Sequence, residues 1–498
     1  MKNKILLSAA LLVALGSCSE NNLQDPAPKT NQEQVYTPDA KDLLKADFGR
    51  AFSKALVQSQ SLRQLVKAEA LKMFNNDYDV LYSAIKDESV ENGLTVRELL
   101  LQFEAASKME KIETSLPLLT IFVPELPEET FSAKNWDAGQ VIPAVGVTSA
   151  SSNDVLMIGH ETEEYMLESW KIPAFPVVVI KDNERIIPIT SKSRAQARGS
   201  AFRAGDMEYV FLADCFDGSI ETKEIKAEQD ENGRFVRNPD SKLIEAYNIY
   251  KNVDGWHRDY IYYNIQPSQD RGAFSYDFQE HITSFSLKGD PASVYSKISD
   301  QTGDPKLKIS TKANSGWTGG FFEFKVRALI NAKNGIGEEL VTYFSALPTD
   351  LFTVEYERKL FYYIPKITGL RAKALNLPLF AWDLNDYAST IKIEVEEVDL
   401  TETIVNQETR TVKFATNFSI EGTLKKIGLK FGASLEETRS QTISRTYTVG
   451  NDLLGSVIVN FADDVILQPI DMIFLNGWIT REYSTGWYGV SVEPKRVQ

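Results

Sequence analysis

The chain has 498 residues, of which 43% are hydrophobic and 25% charged, and its formal net charge at pH 7 is −15. This composition is ordinary for a folded protein, and the length allows two to four domains with proper cores. The acidic balance argues against nonspecific binding to nucleic acid, which needs clustered Lys and Arg. It also argues against electrostatic adhesion to anionic lipid.

The first eighteen residues have the pattern of an export signal. Lys2 and Lys4 precede an apolar run from Ile5 to Leu15, which is too short to span a bilayer as a helix. The run ends in Leu15-Gly16-Ser17-Cys18, which resembles the lipobox of bacterial lipoproteins. The resemblance implies a diacylglyceryl group on the Cys18 thiol and removal of residues 1–17. The alternative is an ordinary secretory signal in which the cysteine is incidental.

Residues 18–40 are predicted to be the lipidated cysteine and a flexible tether, because they are polar and lack an apolar period. In the lipoprotein family an aspartate just after the cysteine tends to retain the protein at the inner membrane. Ser19 stands there instead, so the resemblance points to the outer membrane of a diderm bacterium. The single acid Glu20 leaves the periplasmic face and the cell surface both open.

The second of the two cysteines is Cys215. With Cys18 lipidated, it has no partner for an intramolecular disulfide, so stability must come from packed cores. A catalytic thiol needs only a base to activate it. We favour a structural role, because Cys215 follows the apolar run from Tyr209 to Ala213, and small buried side chains are common at strand ends.

Residues 41–216 are predicted to form an N-terminal domain with helices followed by strands. Leu44, Phe48 and Phe52 recur every four residues, and Thr95 with Glu98 forms a capping box. Short β runs begin at Leu118, and Lys181-Asp182-Asn183-Glu184 is interpreted as a hairpin turn between two of them. Residues 217–244 are charged and contain Gly and Pro, as is typical of a linker.

The remainder is predicted to be rich in β structure. Strand-like runs at a spacing of about 8–12 residues favour a Greek-key sandwich over 245–400, with a Thr/Ser-rich β region over 401–498 packed against it. The predicted fold class is therefore α+β: a small helical unit and a mixed α/β region, then a β-rich, sandwich-like C-terminal half.

The usual catalytic and cofactor motifs are missing. The chain has three histidines, His160, His257 and His281, and contains no HExxH, GxSxG, GxGxxG or P-loop sequence. We therefore predict no catalytic residue, no bound cofactor and no structural zinc.

The densest acidic group near predicted strands includes Asp383, Asp386 and Asp399. Carboxylates from two loops at one end of a sandwich can hold Ca²⁺, and the layout loosely resembles C2-type sandwiches. The simpler interpretation is that these acids face solvent, as the alternation in Lys392-Ile393-Glu394-Val395-Glu396 suggests. A carboxylate pair of a glycan hydrolase also stays open, because the separation of two acids is a three-dimensional property. The chain's aromatic residues would stack on sugars in that case.

The segment Thr401–Gly450 is rich in Thr and Ser. Its long half-polar runs resemble the insertion hairpins of aerolysin-type pore formers, whose residues alternate between lipid and lumen. Charged residues at Lys425, Lys426, Glu436 and Glu437 interrupt that pattern.

The function predicted from the sequence is a non-catalytic binding or structural role in the cell envelope. The partner would be a glycan or an envelope protein, and the only membrane contact would be the lipid anchor. The alternatives are a carboxylate-based glycan hydrolase and an aerolysin-like membrane-active protein.

Overall fold

In this computed structural model the described residues are 39–150, 152–161, 163–189, 200–212, 216–217, 228–229, 235–269, 271–299, 316–332, 337–398, 405–416, 437–448, 452–472 and 475–497. The predicted signal and nearly all of the predicted tether, with Cys18, lie outside them, as do Cys215 and Asp399. Pro38–Gln498 forms one compact unit.

Helices occupy the start of this unit and recur between later strands. They are α1 (Ala40–Gln58), α2 (Gln60–Ala70), α3 (Tyr82–Ile85), α4 (Val96–Leu100), α5 (Ala106–Ser115), α6 (Ser241–Tyr250), α7 (His257–Tyr263), α8 (Pro291–Ile298) and α9 (Pro348–Leu351). Short 3₁₀ turns lie at Glu91–Gly93 and Pro127–Glu129.

The strands before residue 240 are short. They are β1 (Asp79–Leu81), β2 (Leu119–Phe122), β3 (Ala144–Val147), β4 (Val155–Ile158), β5 (Glu164–Leu167), β6 (Ile172–Pro173), β7 (Val177–Asp182), β8 (Ile186–Pro188), β9 (Ala201–Ala204), β10 (Met207–Phe211), β11 (Glu228–Gln229) and β12 (Phe235–Val236).

Most of the later strands are longer. They are β13 (Phe278–Leu287), β14 (Phe322–Ala332), β15 (Gly337–Ala346), β16 (Phe352–Arg358), β17 (Tyr362–Leu370), β18 (Ala372–Pro378), β19 (Tyr387–Glu397), β20 (Val405–Thr416), β21 (Glu437–Thr448), β22 (Asp452–Asn460), β23 (Ile466–Met472), β24 (Leu475–Thr480), β25 (Glu482–Ser484) and β26 (Tyr488–Arg496).

Side-chain caps define the helix boundaries in the first hundred residues. The carboxylate of Asp39 accepts hydrogen bonds from the backbone N–H groups of Lys41 and Asp42, which starts α1. Ser59 ends α1, and its hydroxyl caps α2 by accepting from the N–H of Leu62. The predicted capping box is confirmed: Thr95 and Glu98 exchange side-chain-to-backbone hydrogen bonds at the start of α4.

A six-stranded sheet organises the first half, in the order β1-β2-β7-β3-β4-β5. Neighbours are antiparallel except β3 and β7, which run parallel with Val145 opposite Val178. Residues Val177 to Ile180 of β7 are fully buried, and Phe48 and Phe52 of α1 belong to the same core. A central strand that is covered on both faces has a continuous run of apolar residues in its sequence, and not an alternation of polar and apolar residues.

The predicted hairpin at Lys181–Glu184 is wrong. Strand β7 pairs with β2 and β3, whereas β8 pairs with β10 in a separate three-stranded sheet, so the two consecutive strands are not partners. The physical reason is that Asn183 is buried and hydrogen-bonds to Asp79, which directs this turn into the protein instead of outward as a hairpin loop.

The second half contains two four-stranded antiparallel sheets around one hydrophobic core. Their orders are β18-β13-β26-β25 and β15-β14-β19-β22. Inward side chains from both meet there, with Phe285 of β13 packed on Phe324 of β14 and on Phe344 of β15. The chain is therefore α+β with a β-rich, sandwich-like C-terminal half, which confirms the predicted fold class.

Helices interrupt the sandwich where none are predicted from sequence. Helices α6, α7 and α8 lie in its first part, and residues of all three belong to its core. Their short length explains the omission, because ten residues or fewer provide fewer than three turns of apolar period.

The two halves share a third sheet. Strand β6 from the first half pairs with β17 from the second, with Tyr362 opposite Pro173, and β17 pairs with β16. Main-chain hydrogen bonds therefore link the α/β region directly to the sandwich region.

Candidate functional site

A largely buried charged cluster joins strands β1 and β7 of the six-stranded sheet. Asp79 is the first residue of β1 and Asp77 lies two residues before it. Lys181 lies near the end of β7, and Glu184 and Arg185 lie in the turn after it. Among the described residues, Asp77, Asp79 and Glu184 are the acids whose carboxylate oxygens lie close enough together, within 4.8 Å, to suggest a metal site.

The side chains of Lys181 and Arg185, which belong to the same cluster, neutralise these acids. The Lys181 ammonium lies 2.7 Å from Glu184 Oε1 and 3.2 Å from Asp79 Oδ1, and Arg185 Nη2 lies 3.0 Å from Asp77 Oδ2. Although burial opposes the charged form, the carboxylates of Asp79 and Glu184 raise the pKa of Lys181 above its ordinary value. The ammonium occupies the position between two carboxylates that a bound cation would need.

Burial also shifts the pKa values of the acids in this cluster. Burial raises the pKa of Asp77 and of Glu184, while Arg185 acts against the first shift and Lys181 against the second. Neighbouring amides complete the network: Asn75 Nδ2 and Asn183 Nδ2 donate to Asp79 Oδ2 at 2.8 and 3.1 Å. The arrangement is that of a buried ion-pair network, which stabilises only while all of its members are present.

A segment of the second half closes this network. The Arg185 guanidinium lies 3.9 Å from the ring centre of Phe321, and Lys181 lies 4.7 Å from that of Phe122. Gly319 has a φ of +102°, and a Cβ there would come within 2.7 Å of Lys181 Nζ. The cluster therefore holds the α/β region and the segment before β14 together, and sequence patterns do not reveal it because its members are far apart in the chain.

The sandwich core contains a second set of buried charges, on α7. Arg258 and Glu280 are fully buried and form a bidentate pair at 2.7 and 3.1 Å, to which the hydroxyl of Tyr262 adds a hydrogen bond at 3.1 Å. Burial lowers the pKa of His257 to about 4, and its Nδ1 accepts from the backbone N–H of Val465.

Asp259, on the same helix, has no such compensation. Burial raises its pKa to about 9, so the carboxyl group stays protonated at neutral pH. Its side chain is 1% exposed, and no described group donates to Oδ1. A perturbed acid can indicate a functional site, but this one is sealed from solvent within the core.

The acids predicted to bind calcium are in different environments. Asp383 is buried, and its Oδ1 accepts from the Tyr263 hydroxyl, the Asn385 backbone N–H and the Asn385 amide, each at 2.8 Å. Asp386 is exposed, three residues further along the same turn. The simpler expectation that these acids face solvent is therefore wrong for Asp383, which closes a turn with its carboxylate.

The acids of β19 also differ from expectation. Alternation holds, since Ile391, Ile393 and Val395 face the sandwich core. Glu394 and Glu396 on the opposite face, however, are 2% and 0% exposed, so that face is not open to solvent. Each stands opposite a cation of β14: Glu394 beside Arg327 and Glu396 beside Lys325. Opposite charges that face each other on neighbouring strands reduce the free-energy cost of burying this polar face.

The aromatic residues considered for sugar stacking are mostly core residues. Trp256, Tyr262, Tyr263, Trp317 and Tyr488 are all buried, whereas Trp487 is 41% exposed. The histidines are dispersed as well: His160 is exposed between β4 and β5, His257 starts α7, and His281 lies on β13.

A polar cleft of about 430 Å³ lies beside α2. Its lining residues are Gln64, Lys67, Asn135, Trp136, Asp137, Ala138 and Gly139. Several of their polar groups already form hydrogen bonds with the loop that lines the cleft. Lys67 Nζ donates to the Trp136 carbonyl at 2.5 Å, and Asp137 Oδ1 accepts from the N–H of Gly139 at 3.0 Å.

Asp383 provides a test that separates calcium binding from turn closure. We expect Asp383→Ala to lower the free energy of unfolding by about 2 kcal/mol, because the buried hydroxyl of Tyr263 and two partly buried donors of Asn385 lose their acceptor. Asp386→Ala, at the exposed position, should change it by no more than about 0.5 kcal/mol. Thermal unfolding in Ca²⁺ and in chelator should give equal midpoints for the wild type. A calcium site would instead add roughly 2.7 kcal/mol at a hundredfold excess over Kd.

These features define an α+β protein with a β-sandwich-like half and two internally neutralised charge clusters. No protein-family model, curated protein or solved structure matches the chain. Within the described residues, no helix has both the length and the apolar character needed to cross a membrane.

Proposed function

We propose that the protein is a lipid-anchored component of the bacterial cell envelope, fixed to the outer membrane through Cys18, with a binding or structural role and no catalytic one. The sequence Leu15-Gly16-Ser17-Cys18 supports the anchor, and the compact unit begins at Pro38, twenty residues beyond that cysteine. An anchor followed by a separate folded body is the organisation expected of such a protein.

The observation that carries the non-catalytic role is how the ion-paired acids of the two charge clusters are used. Glu280 is bound by Arg258, Asp77 by Arg185, and Asp79 with Glu184 by Lys181, at distances of 2.7 to 3.2 Å. A catalytic carboxylate must be free to exchange a proton or bond with substrate. These acids are instead engaged by internal cations, which supports a role in stability. We propose a glycan or another envelope protein as the partner.

The anchor is tested by Cys18→Ala. We expect this variant to lose incorporation of labelled fatty acid and to leave the membrane fraction, because the thiol that accepts the diacylglyceryl group is gone. Cys215→Ala is the matched control and should keep both label and membrane association. Mass spectrometry of the mature N-terminus gives an independent readout. An unlipidated wild-type protein that starts at another residue would contradict the proposal.

One observation favours a second candidate, a membrane-active hairpin of the aerolysin type. Strands β20 and β21 pair antiparallel over twelve residues each, from Val405 opposite Thr448 to Thr416 opposite Glu437. Among the described strands, each pairs only with the other. Twelve residues span about 40 Å, and a membrane-crossing β-strand needs about 9–11 residues.

Dye release separates the two candidates. Under the hairpin proposal, the protein releases calcein from phospholipid vesicles at a rate that rises with protein concentration. If the vesicles stay intact at protein concentrations at which the protein is bound to them, the second candidate is excluded and the first is unaffected.

A further inference from the structure

The loop between β16 and β17 projects two large apolar side chains into solvent. Leu360 is 81% exposed and Phe361 is 66% exposed, the highest values among the large hydrophobic residues that the structure describes. Neighbouring residues in a strand point to opposite faces, so one side or the other is normally covered. Exposure of both shows that they form a protruding tip.

The turn itself does not require these residues. Arg358 stands opposite Tyr363, and the Lys359 N–H donates to the Tyr362 carbonyl at 2.7 Å, so Leu360 and Phe361 are the two central residues of a tight hairpin turn. Gly, Asn and Asp are usual there, because the favoured turns need positive φ angles. Neither Leu360 nor Phe361 has a positive φ. The turn therefore neither requires nor excludes apolar side chains, but their exposure to water is unfavourable, which indicates a contact outside this chain.

Behind the tip lies a belt of aromatic and basic groups. The rings of Trp170 and Tyr362 meet edge to face with centres 5.9 Å apart, and Lys171 Nζ lies 4.8 and 4.6 Å from their centres. The basic side chains also have acidic partners: Lys171 pairs with Glu168, Lys359 with Glu357, and Arg358 with Glu128. The belt is therefore close to electrically neutral.

The tip is held firmly in place. The Ala174 N–H donates to the Phe361 carbonyl at 3.0 Å, and β6 extends the hairpin into a three-stranded sheet. The tip is thus presented by the junction of the two halves of the molecule.

We propose that the tip formed by Leu360 and Phe361 inserts into the interfacial layer of a phospholipid bilayer as a second membrane contact. An apolar tip, then aromatic rings with ammonium groups, then a polar body is the order of environments from acyl chains to water. The proposal rests on the proposed function, in which the lipid anchor keeps the body at a membrane. The neutral belt and acidic chain make this contact apolar and not dependent on anionic lipid.

The test uses a chain that begins at Pro38, because the hydrophobic clusters and described elements all lie beyond that residue. This chain has no Cys18, so its result is independent of the anchor. We expect it to float with phosphatidylcholine vesicles and to bind equally well in 1 M salt. Leu360→Ser/Phe361→Ser should lower the partition coefficient at least about tenfold, because two apolar side chains lose their transfer into lipid.

The matched control is Tyr276→Ser/Ile458→Ser, which removes two other apolar side chains that are 61% and 65% exposed. It should bind vesicles like the wild type, and both double variants should keep the wild-type thermal midpoint. The proposal is overturned if the unsubstituted chain from Pro38 does not float with the vesicles. It is also overturned if the tip variant binds the vesicles as well as that chain does. Self-association that is lost in the tip variant, without vesicle binding, also overturns it and assigns the tip to a protein contact.

Discussion

Replacing Lys181 with methionine is expected to destabilise the protein by about 3–5 kcal/mol at pH 7, the range observed when one partner of a buried ion pair is removed. The ammonium lies 2.7 Å from Glu184 Oε1 and 3.2 Å from Asp79 Oδ1, and Lys181 is 4% exposed. Without it, buried Asp79 and partly exposed Glu184 lie close together with Arg185 as the remaining cation of the cluster.

The pH dependence of this loss identifies its cause. Burial already raises the pKa of Glu184, and Lys181 is the largest influence that opposes it. In the variant the folded-state pKa rises further above the unfolded value, so the electrostatic penalty grows as pH rises and is smaller at pH 5 than at pH 8. Urea midpoints measured at both pH values should diverge from the wild type in that direction.

Two further variants control the Lys181 experiment. Lys181→Met/Glu184→Gln should recover part of the loss, because it removes one of the acids left unpaired. Lys72→Met, at a surface ion pair with Glu69 in which the lysine side chain is 63% exposed, should change stability by less than about 1 kcal/mol. Stabilisation of the wild type by Mg²⁺ or Ca²⁺, abolished by Asp79→Asn, would contradict the assignment and make the cluster a metal site.

Asp259→Asn is expected to stabilise the protein increasingly as pH rises. Burial raises the pKa of Asp259 to about 9 in the folded protein, whereas an unfolded aspartate titrates near 4. Between these values the folded state retains a proton that the unfolded state releases, so the wild type loses stability with rising pH. Asparagine has no proton to release. The difference between variant and wild type should grow by about 4 kcal/mol from pH 5 to pH 8, at 1.36 kcal/mol per unit.

Urea denaturation at half-unit intervals between pH 5 and pH 8 measures this slope. Asp206→Asn replaces an acid whose side chain is 83% exposed, and its difference from the wild type should stay constant over the same range. A constant difference for Asp259→Asn as well would mean that the folded-state carboxyl ionises normally, and that water reaches the interior of the sandwich at α7.

The sequence was sufficient for the features that depend on neighbouring residues. The capping box of Thr95 and Glu98 starts α4 as predicted, and β2 begins at Leu119, one residue after the predicted start of the short β runs. The α+β class follows from the same local signals, because amphipathic periods and turn residues are visible within a window of a few residues. The lipid anchor at Cys18 and the calcium group of Asp383, Asp386 and Asp399 remain predictions.

Only the tertiary structure decided which residues would meet across long separations. The turn at Lys181–Glu184 has the composition of an exposed hairpin, yet Lys181 and Asn183 are buried because Asp79, about a hundred residues earlier, provides their partner. Glu394 and Glu396 occupy the polar positions of an alternating strand, and their burial depends on what covers that face. Leu360 and Phe361 form part of a strand-like apolar run and become an exposed tip because the turn falls on them. Burial of a charge or exposure of an apolar group depends on three-dimensional neighbours, which local periodicity does not specify.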